Sequence, residues 1–453
     1  MTKDITEGNI WKTILKLSWP TQVAFVLHAG FNLVDTFYIG KLGPEAIAAL
    51  TMAFPIFIFM FSLAGGIGVG TTSLVARYLG AKEKNKAHSS AESSIILSLI
   101  STVIFTTFGL IIMRPLFTWM GGSPQVVELA ISYATIILIG SIAFFLFVAA
   151  NSIIRGEGDM KTPMKFMILS TIVNIILDPF LIFGIGPFPE LGVQGAALAT
   201  IISIVFGGTF AIAYLFREKD EVRINLKKLG FNIDNVKKIL YVGIPSSIAE
   251  LFMAFGIIFI TKITALFGDT AIASYGIGYR LDLLAILPAL GITIAMITIV
   301  GHNFGAKKYD RAVNTIIKGS ILISIQMGVL GLLFFSFPEF FISLFTNDAT
   351  VISQGAGYLS TICLTYALIG IGMVVGASFQ GTGSSFPLLA IVFTRIFIFP
   401  VSIAYAYIHF IKFDISGVWI AIAISNVLAG LVAITWFLNS KLYKNSLSYP
   451  ENS

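Results

Sequence analysis

Residues 41–50 read KLGPEAIAAL, and residues 266–275 read LFGDTAIASY. Each stretch places a glycine, Gly43 or Gly268, three residues before an Ala-Ile-Ala run, and the two glycines are 225 residues apart. Four further matches keep the same shift: Pro20 with Pro245, Gly80-Ala81-Lys82 with Gly305-Ala306-Lys307, Gly156 and Gly158 with Gly381 and Gly383, and Gly192-Val193 with Gly417-Val418. One register held over this length indicates an internal duplication.

The composition is that of an integral membrane protein. Of the 453 residues, 56% are hydrophobic and only 11% are charged, which soluble domains of this size do not show. Apolar runs of about 20 residues, the length that crosses a bilayer core, recur along nearly the whole chain. They leave no room for a soluble catalytic domain, so we do not expect an enzyme. The single cysteine, Cys363, excludes an internal disulfide and a cysteine metal cluster.

Apolar runs between polar, glycine and proline breaks predict twelve transmembrane helices. Their approximate bounds are 14–39, 46–76, 88–113, 129–154, 163–185, 193–216, 239–266, 271–300, 314–337, 354–378, 386–409 and 416–438. We therefore predict an all-α membrane protein with a lobe of six helices at 1–216, a linker at 217–238 and a second six-helix lobe at 239–453. Because each half has an even number of spans, the halves share one orientation, and a pseudo-two-fold axis along the membrane normal relates them.

Lysine and arginine are distributed unevenly across the predicted membrane. Only Lys41, Arg114 and Lys412 lie on the side opposite the amino terminus, so the positive-inside rule places both termini and the linker in the cytoplasm of a multi-pass cell-membrane protein. The linker is highly charged, and we expect an amphipathic segment on the membrane surface. The net charge of +6 follows from this topology, and no nucleic-acid partner is expected. The polar first twelve residues are not expected to be a cleaved signal peptide.

Ionisable side chains at membrane depth cost several kcal/mol unless they face protein or water, so each is a functional candidate. Nine lie within or at the end of a predicted span: His28, Asp35, Asp178, Glu250, Lys262, Arg280, Asp282, Arg395 and His409. For Lys262, Arg280, Asp282 and Arg395 we expect ion pairs among themselves.

Asp35 and Asp178 lie at similar depth in the outer half of the first and fifth spans, roughly 8 Å inside the boundary for Asp35. Asn174 is four residues before Asp178 and shares its helix face. Thr200 reaches a similar depth on the sixth span, behind small residues that permit close helix approach. Two carboxylates, an amide and a hydroxyl are oxygen ligands suited to Na⁺, and the acids can instead share a proton.

The duplication supplies a control for this cluster. At a shift of 225 residues, Asp35, Asn174 and Asp178 correspond to Ile260, Phe399 and Ile403. If the fold needed the acids, the second half would need them too, so the asymmetry favours chemistry. The alternative is a satisfied buried acid that fixes helix packing.

Two prolines and two further ionisable groups complete the candidate site. Pro20 and Pro179 each remove an amide donor inside a span, which is consistent with a moving hinge or with a static kink. Glu250 lies near mid-depth of the seventh span, where it can face a cavity and a cationic substrate or pair with a basic residue. His28 is two turns before Asp35, and a packed neutral histidine is the alternative to a cavity role.

Residues 156–159, Gly-Glu-Gly-Asp, match the motif of intramembrane aspartyl proteases. They fall in a predicted cytoplasmic loop, without a second aspartate at matching depth. Because the glycines recur at Gly381 and Gly383, we interpret the motif as a turn repeated in each half.

Over roughly residues 10–440 the sequence resembles the multidrug and toxic compound extrusion (MATE) family, and within it the DinF-like branch, named for DNA-damage-inducible efflux proteins. The resemblance rests on FNLVDTFYIGKLGPEAIAAL, RGEGDMKTP, NIILDPFLIFGIG, LGVQGAALAT and the two Gly-Ala-Lys turns. It implies two six-helix lobes around a central cavity.

The resemblance also implies roles for individual residues. Asp35, Asn174 and Asp178 match the family's amino-lobe cation site, to which the sixth span adds Thr200 and the carbonyl of Ala196. Pro20 matches the first-span proline whose bending has been proposed to follow protonation. The tenth span lacks the carboxylate that the sodium-coupled branch uses there.

We therefore expect an antiporter that exports small amphipathic drugs or organic cations in exchange for H⁺ or Na⁺, with no other cofactor. Membrane lipids are the expected surroundings, and a monomer is the expected state. The alternative is a flippase for lipid-linked saccharides or other polar lipids, whose cleft should be strongly cationic.

Overall fold

The computed structural model describes residues 5–216, 222–223, 230–410 and 413–448. Within those ranges the side chains of 28–29, 31–36 and 447–448 are not described. The described chain is all-helical and contains no β-strand. Most of the predicted linker, and with it the expected amphipathic segment, lies outside the described residues.

The helices follow the predicted order. In the first half they are α1 (Ile10–Gly40), α2 (Pro44–Gly80), α3 (Lys84–Trp119), α4 (Pro124–Gly156), α5 (Lys161–Phe183) and α6 (Val193–Tyr214). In the second half they are α7 (Ile233–Thr264), α8 (Asp269–Gly305), α9 (Tyr309–Ser336), α10 (Pro338–Ser343), α11 (Ala349–Ile362), α12 (Tyr366–Thr382), α13 (Phe386–Phe393), α14 (Phe399–Phe410), α15 (Ser416–Asn439) and α16 (Lys441–Ser448).

Eleven helical spans of the described chain are long and apolar enough to cross a membrane. They correspond to the second to twelfth predicted spans. The first predicted span coincides with α1, which includes the residues whose side chains are not described. Two spans are less regular than the sequence indicated, because a 3₁₀ turn at Cys363–Thr365 separates α11 from α12 and a π-helical turn at Thr394–Ile398 separates α13 from α14.

The duplication is confirmed in the backbone. Lys82 and Lys307, at matching positions of the two Gly-Ala-Lys turns, have left-handed φ angles of 61° and 60°. Gly158 and Gly383 have φ angles of 91° and 102°, and the residue after each donates its N–H to the carbonyl five residues earlier, at 3.2 and 3.0 Å. Residues 156–159 therefore form a helix-ending turn present in both halves.

Packing divides the chain into two compact units. The first unit comprises residues 23–244, and the second comprises residues 1–22 together with 245–453. The start of α7 thus packs within the first unit, and the start of α1 packs within the second. The two units therefore differ from the predicted lobes in two places, the start of α1 and the start of α7, each of which is assigned to the opposite half. The predicted lobe and linker boundaries stay a prediction.

The two exchanged helix starts use equivalent close contacts. In the first unit, a side chain at Gly243 would press against the carbonyl of Gly66. In the second unit, a side chain at Gly291 would meet the carbonyl of Ser18. Gly243 corresponds to Ser18, and Gly66 corresponds to Gly291, at the shift of 225 residues. The same backbone approach is therefore built twice, which explains the small residues at both places.

Replacement of Gly383 by alanine tests the repeated turn. Alanine at a φ of 102° is strained, and we expect a loss of about 1–2 kcal/mol in the free energy of unfolding. The matched control is Gly328→Ala in α9, where a methyl group meets no atom within 4 Å and the helix gains propensity. Thermal unfolding of the purified protein in detergent checks both variants. Equal melting temperatures for the two would contradict the assignment of the turn.

Candidate functional site

The fifth span contains a buried acid with an amide partner. Asp178 and Asn174 lie on α5, and both side chains are buried. The Asn174 side-chain N–H donates to a carboxylate oxygen of Asp178 at 2.9 Å. The predicted i, i+4 pair is therefore formed, and the amide supplies one of the hydrogen bonds that a carboxylate at membrane depth requires.

Contacts on either side of this pair fix the register of α6 against α5. On one side, the Ser170 hydroxyl donates to the carbonyl of Ser203 at 2.9 Å. On the other side, a Cβ at Gly195 would overlap the carbonyl of Leu181. Two antiparallel helices held at these two levels place Thr200 at the level of Asn174. Gly195, one of the small residues predicted to permit this approach, is thus required by the packing.

The same register places Ala196 at the level of Asp178. Thr200 is half-buried, and its hydroxyl donates to the carbonyl of Ala196 at 3.0 Å. The amide, the carboxylate, the hydroxyl and this carbonyl therefore share one layer of the first unit. Sequence reasoning missed Ser170 and Ser203 as the contact that holds this layer, although Ser170 precedes Asn174 by four residues and so shares its face.

Asp35 and His28 lie on α1, but their side chains are outside the described residues. Their predicted contributions to the site stay predictions. The described donors of this layer are oxygen ligands with one carboxylate, which suits a hard monovalent cation such as Na⁺ better than a transition metal. Among the described residues no group of three His, Cys, Asp or Glu side chains can hold a metal ion.

The other predicted residues are placed as follows. Pro20 is buried inside α1, two residues before the point at which the helix passes from the second unit to the first. Pro179 is half-buried inside α5, directly after Asp178. Glu250 lies on α7 with an exposed side chain. These positions agree with either interpretation of the prolines.

The second unit contains a different buried acid, Asp282 on α8. Tyr358 of α11 donates its hydroxyl to one carboxylate oxygen of Asp282 at 2.5 Å, and Tyr366 of α12 donates to the other. The two tyrosines flank the 3₁₀ turn that separates α11 from α12. Asn426 of α15 also reaches this turn, donating to the Thr365 hydroxyl at 2.9 Å. Together these bonds tie α8, α11, α12 and α15 at one irregular point.

This arrangement corrects the expectation that the four charged residues of the second half pair with one another. The oxygens of Asp282 accept from tyrosines, while Lys262 and Arg280 have exposed side chains. Within the described part of the chain, no ion pair joins any two of these four residues. A phenol hydroxyl donates a hydrogen bond to a carboxylate without adding a charge. A search for charged residues in the sequence therefore does not find such a partner.

In the described residues of the first half, the positions that correspond to this cluster are occupied differently. At the positions corresponding to Asp282 and Tyr358 the first half has Phe57 and Tyr133, whose rings pack 5.9 Å apart. The second half also carries glycines that make room for its tyrosines, since a Cβ at Gly278 would overlap the ring of Tyr358. The cluster is therefore a specialised feature of the second unit.

Comparisons with known proteins agree with this architecture. A family sequence profile described as MatE matches residues 20–180 and 245–408. The probable multidrug resistance protein NorM of Thermotoga maritima is 28% identical over 441 residues, covering 97% of this chain and 94% of that protein. The FAD transporter of Shewanella oneidensis is 27% identical over 433 residues and covers 94% of both. A crystal structure described as MATE in the bent conformation is 32% identical, with a TM-score of 0.91 and 98% of each chain covered.

Removal of one tyrosine hydroxyl tests the importance of the second buried acid. Tyr358→Phe leaves the Asp282 carboxylate one hydrogen bond short, and we expect a loss of about 1.5–3 kcal/mol in the free energy of unfolding. Tyr275→Phe is the control, because Tyr275 contributes ring contacts to the same cluster. Thermal unfolding separates the two, and an equal effect of both variants would show that the hydroxyl bond is unimportant.

Proposed function

Because the chain belongs to the MatE family of membrane transporters, we propose that it is an antiporter that exports amphipathic, mainly cationic compounds in exchange for H⁺ or Na⁺. The observation that carries this proposal is the buried Asp178, bonded to Asn174 in the same layer as Thr200 and the carbonyl of Ala196. The name of the Thermotoga maritima relative supports drugs as the substrate class.

A buried carboxylate at membrane depth gives an ion a reason to bind. In its ionised form a buried carboxylate carries a desolvation penalty, which binding of either a proton or a sodium ion reduces. Binding can drive transport only if the ion prefers one conformation over the other. In our proposal Asp35 joins Asp178 in that ion site, and substrate occupies an overlapping or adjacent pocket. Glu250 and His28 are candidates for contact with the substrate.

Pro20 is the proposed hinge of this cycle, and Pro179 is a second candidate beside the acid. α1 contributes its start to the second unit and the rest to the first, and Pro20 lies near that junction. A proline leaves one carbonyl of the helix without its N–H partner, so bending there breaks fewer bonds. The existence of a related structure in a bent conformation supports this role.

The uneven distribution of basic residues supports the rest of the proposal: both termini in the cytoplasm and no nucleic-acid partner. The protein is proposed to act as a monomer among membrane lipids, with no cofactor besides the coupling ion. The runner-up is a flippase for lipid-linked saccharides or other polar lipids. One relative is named as a transporter of FAD, a polar molecule with a pyrophosphate, which keeps large anionic cargo in consideration.

Transport by purified protein in lipid vesicles tests the proposal. Efflux of a fluorescent organic cation is followed after a pH gradient or a Na⁺ gradient is imposed separately. We expect efflux to follow one gradient and to slow at least tenfold in Asp178→Asn and in Asp35→Asn, because each variant loses a charge of the ion site. Asp234→Asn, at the exposed start of α7, is the control and should transport like the wild type.

Two results would overturn the antiporter. Efflux that does not respond to either gradient would show that no coupling ion drives transport. Efflux that is unchanged in both aspartate variants would show that the acids serve helix packing. Gradient-independent movement of a fluorescent lipid in the same vesicles would favour the flippase.

Substitution of the two corresponding prolines distinguishes a moving hinge at Pro20 from a static kink. We expect Pro20→Ala to slow coupled efflux several-fold without lowering the melting temperature, since alanine restores the backbone bond that resists bending. Pro245→Ala changes the corresponding proline of the second half and should have a smaller effect on efflux. Equal rates for Pro20→Ala and the wild type would assign Pro20 a static role.

A further inference from the structure

Two basic residues at the start of α9 bond the chain in front of α1. Arg311 donates to the carbonyls of Gly8 and Glu7, both at 2.8 Å. Lys308 donates to the carbonyl of Thr6 at 3.1 Å. Hydrogen bonds from a charged donor are stronger than neutral ones. Three consecutive carbonyls are thus bonded, which fixes the path of the chain as it enters α1.

A second contact joins α1 to α9 further along both helices. The side-chain N–H of Gln22 donates to the side-chain carbonyl of Gln326 at 3.1 Å, and both side chains are half-buried. A Cβ at Gly291 of α8 would overlap Gln22, so α8 also packs closely there. Side-chain amides are among the groups that bond one membrane helix to another. α9 therefore bonds the chain at both ends of residues 5–22, which we call the anchored segment.

One face of the anchored segment is also buried. Ile10, Ile14, Leu17 and Thr21 follow one another at intervals of three or four residues, and all four side chains are buried. This spacing places them on one face of α1. The anchored segment ends at Gln22, which is also the last residue of α1 that belongs to the second unit.

The end of the anchored segment coincides with the proposed hinge. Pro20 lies two residues before Gln22, and the following part of α1, which carries Asp35, belongs to the first unit. A hinge moves one part of a helix only if the part on its other side is held. Fixing residues 5–22 therefore directs a bend at Pro20 into the residues that follow it.

The first half uses the corresponding positions differently. Glu83 and Lys86 stand where the second half has its two basic residues, and they bond each other at 2.9 Å on the surface. Ser101 and Ser247 stand where the second half has its glutamine pair. The duplicated fold thus does not demand these particular contacts, and they support the helix that carries the acid.

We propose that Arg311 and Gln326 are positioning residues for transport: they hold the anchored segment still, so that ion binding at Asp35 bends α1 at Pro20 and does not shift the whole helix. This inference rests on the proposed antiporter and identifies the part of the protein against which its hinge works. Neither residue contacts the ion or the substrate. Loss of either contact therefore lowers the rate of the conformational change and leaves the affinity for substrate unchanged.

Hydrogen exchange of the full-length protein in a neutral detergent tests the anchor without transport. We expect Arg311→Gln to speed exchange of the amides at the start of α1, residues 10–16, at least threefold, because the helix start opens more often. Exchange in α9 should stay as in the wild type. Lys86→Gln, at the corresponding position of the first half, is the control and should leave the start of α1 unchanged. If Arg311→Gln does not fold, Lys308→Gln, which removes one bond, takes its place.

Coupled efflux from vesicles tests the role in transport. Gln326→Met keeps the length of the side chain and removes the carbonyl that Gln22 bonds. We expect Gln326→Met and Arg311→Gln each to lower the maximal rate at least threefold, with an unchanged half-saturating concentration of the organic cation. Arg311→Lys keeps a charged donor and should retain at least half of the wild-type rate.

Combination with Pro20→Ala separates support of the hinge from ordinary packing. If the anchor acts through the bend, Gln326→Met should lower the rate little further in a protein that already carries Pro20→Ala. Independent effects would multiply. In the same way, Gln22→Met combined with Gln326→Met should be no slower than Gln326→Met alone.

These results distinguish failure of the positioning role from failure of the antiporter. Wild-type efflux that follows neither gradient would overturn both. Coupled wild-type efflux whose maximal rate is unchanged in Arg311→Gln and Gln326→Met, or whose losses multiply with that of Pro20→Ala, would overturn the positioning role alone. Exchange at the start of α1 that is unchanged in Arg311→Gln, or that rises equally along the whole chain, would do the same.

Discussion

A charge placed in the hydrocarbon of a membrane must be compensated by groups that the protein itself supplies, and the two halves of this chain meet that demand differently. In the first half the buried Asp178 accepts a hydrogen bond from a side-chain amide one turn away on its own helix. In the second half Asp282 takes two hydroxyls from two other helix segments. The first arrangement is local, because the hydrogen bond joins two residues of one helix. The second binds several helices into one point.

The duplicated scaffold makes this difference informative. Turns recur with the same backbone angles, as Lys82 and Lys307 show, so the two halves retain a common architecture. Their interiors have nevertheless diverged, because both residues of a contact differ between the two halves. Thr71 and Ser94 bond each other at 2.6 Å in the first half, whereas the corresponding Met296 and Gly319 pack a large side chain against a missing one. Polar and apolar contacts of similar volume can thus occupy one position of the fold.

Sequence was sufficient for features that depend on local pattern. Apolar length predicted the spans, and the recurrence of Gly158 as Gly383 predicted a repeated turn, because a left-handed φ is a demand of the backbone alone. In the candidate site, the Asn174 and Asp178 pair follows from helical spacing. The tyrosine bonds to Asp282 were not predictable, since they join residues 76 and 84 positions away. Nothing in a single sequence fixes which helices approach each other.

The π-helical turn illustrates the same limit. Pro400 lacks the N–H that the carbonyl of Ile396 would receive in a regular helix, so sequence alone predicts a disturbance there. Its form depends on tertiary contact: a Cβ at Gly256 of α7 would overlap the side chain of Ile396, so the glycine provides the space into which the turn expands. The position of Arg395 within that turn is a consequence of both.

The repeated proline bears on how an ion could act on this scaffold. Pro20 and Pro245 are both buried and both lie where a helix passes from one compact unit to the other. Because the proline is present in both halves, we attribute it to a feature that both halves share. That feature is the passage of a helix from one compact unit to the other. The acids Asp35 and Asp178 occur in one half only. If bending at Pro20 follows ion binding, the acids of the first half therefore determine which helix bends. The proline itself is a flexible point that both halves of the duplicated fold contain.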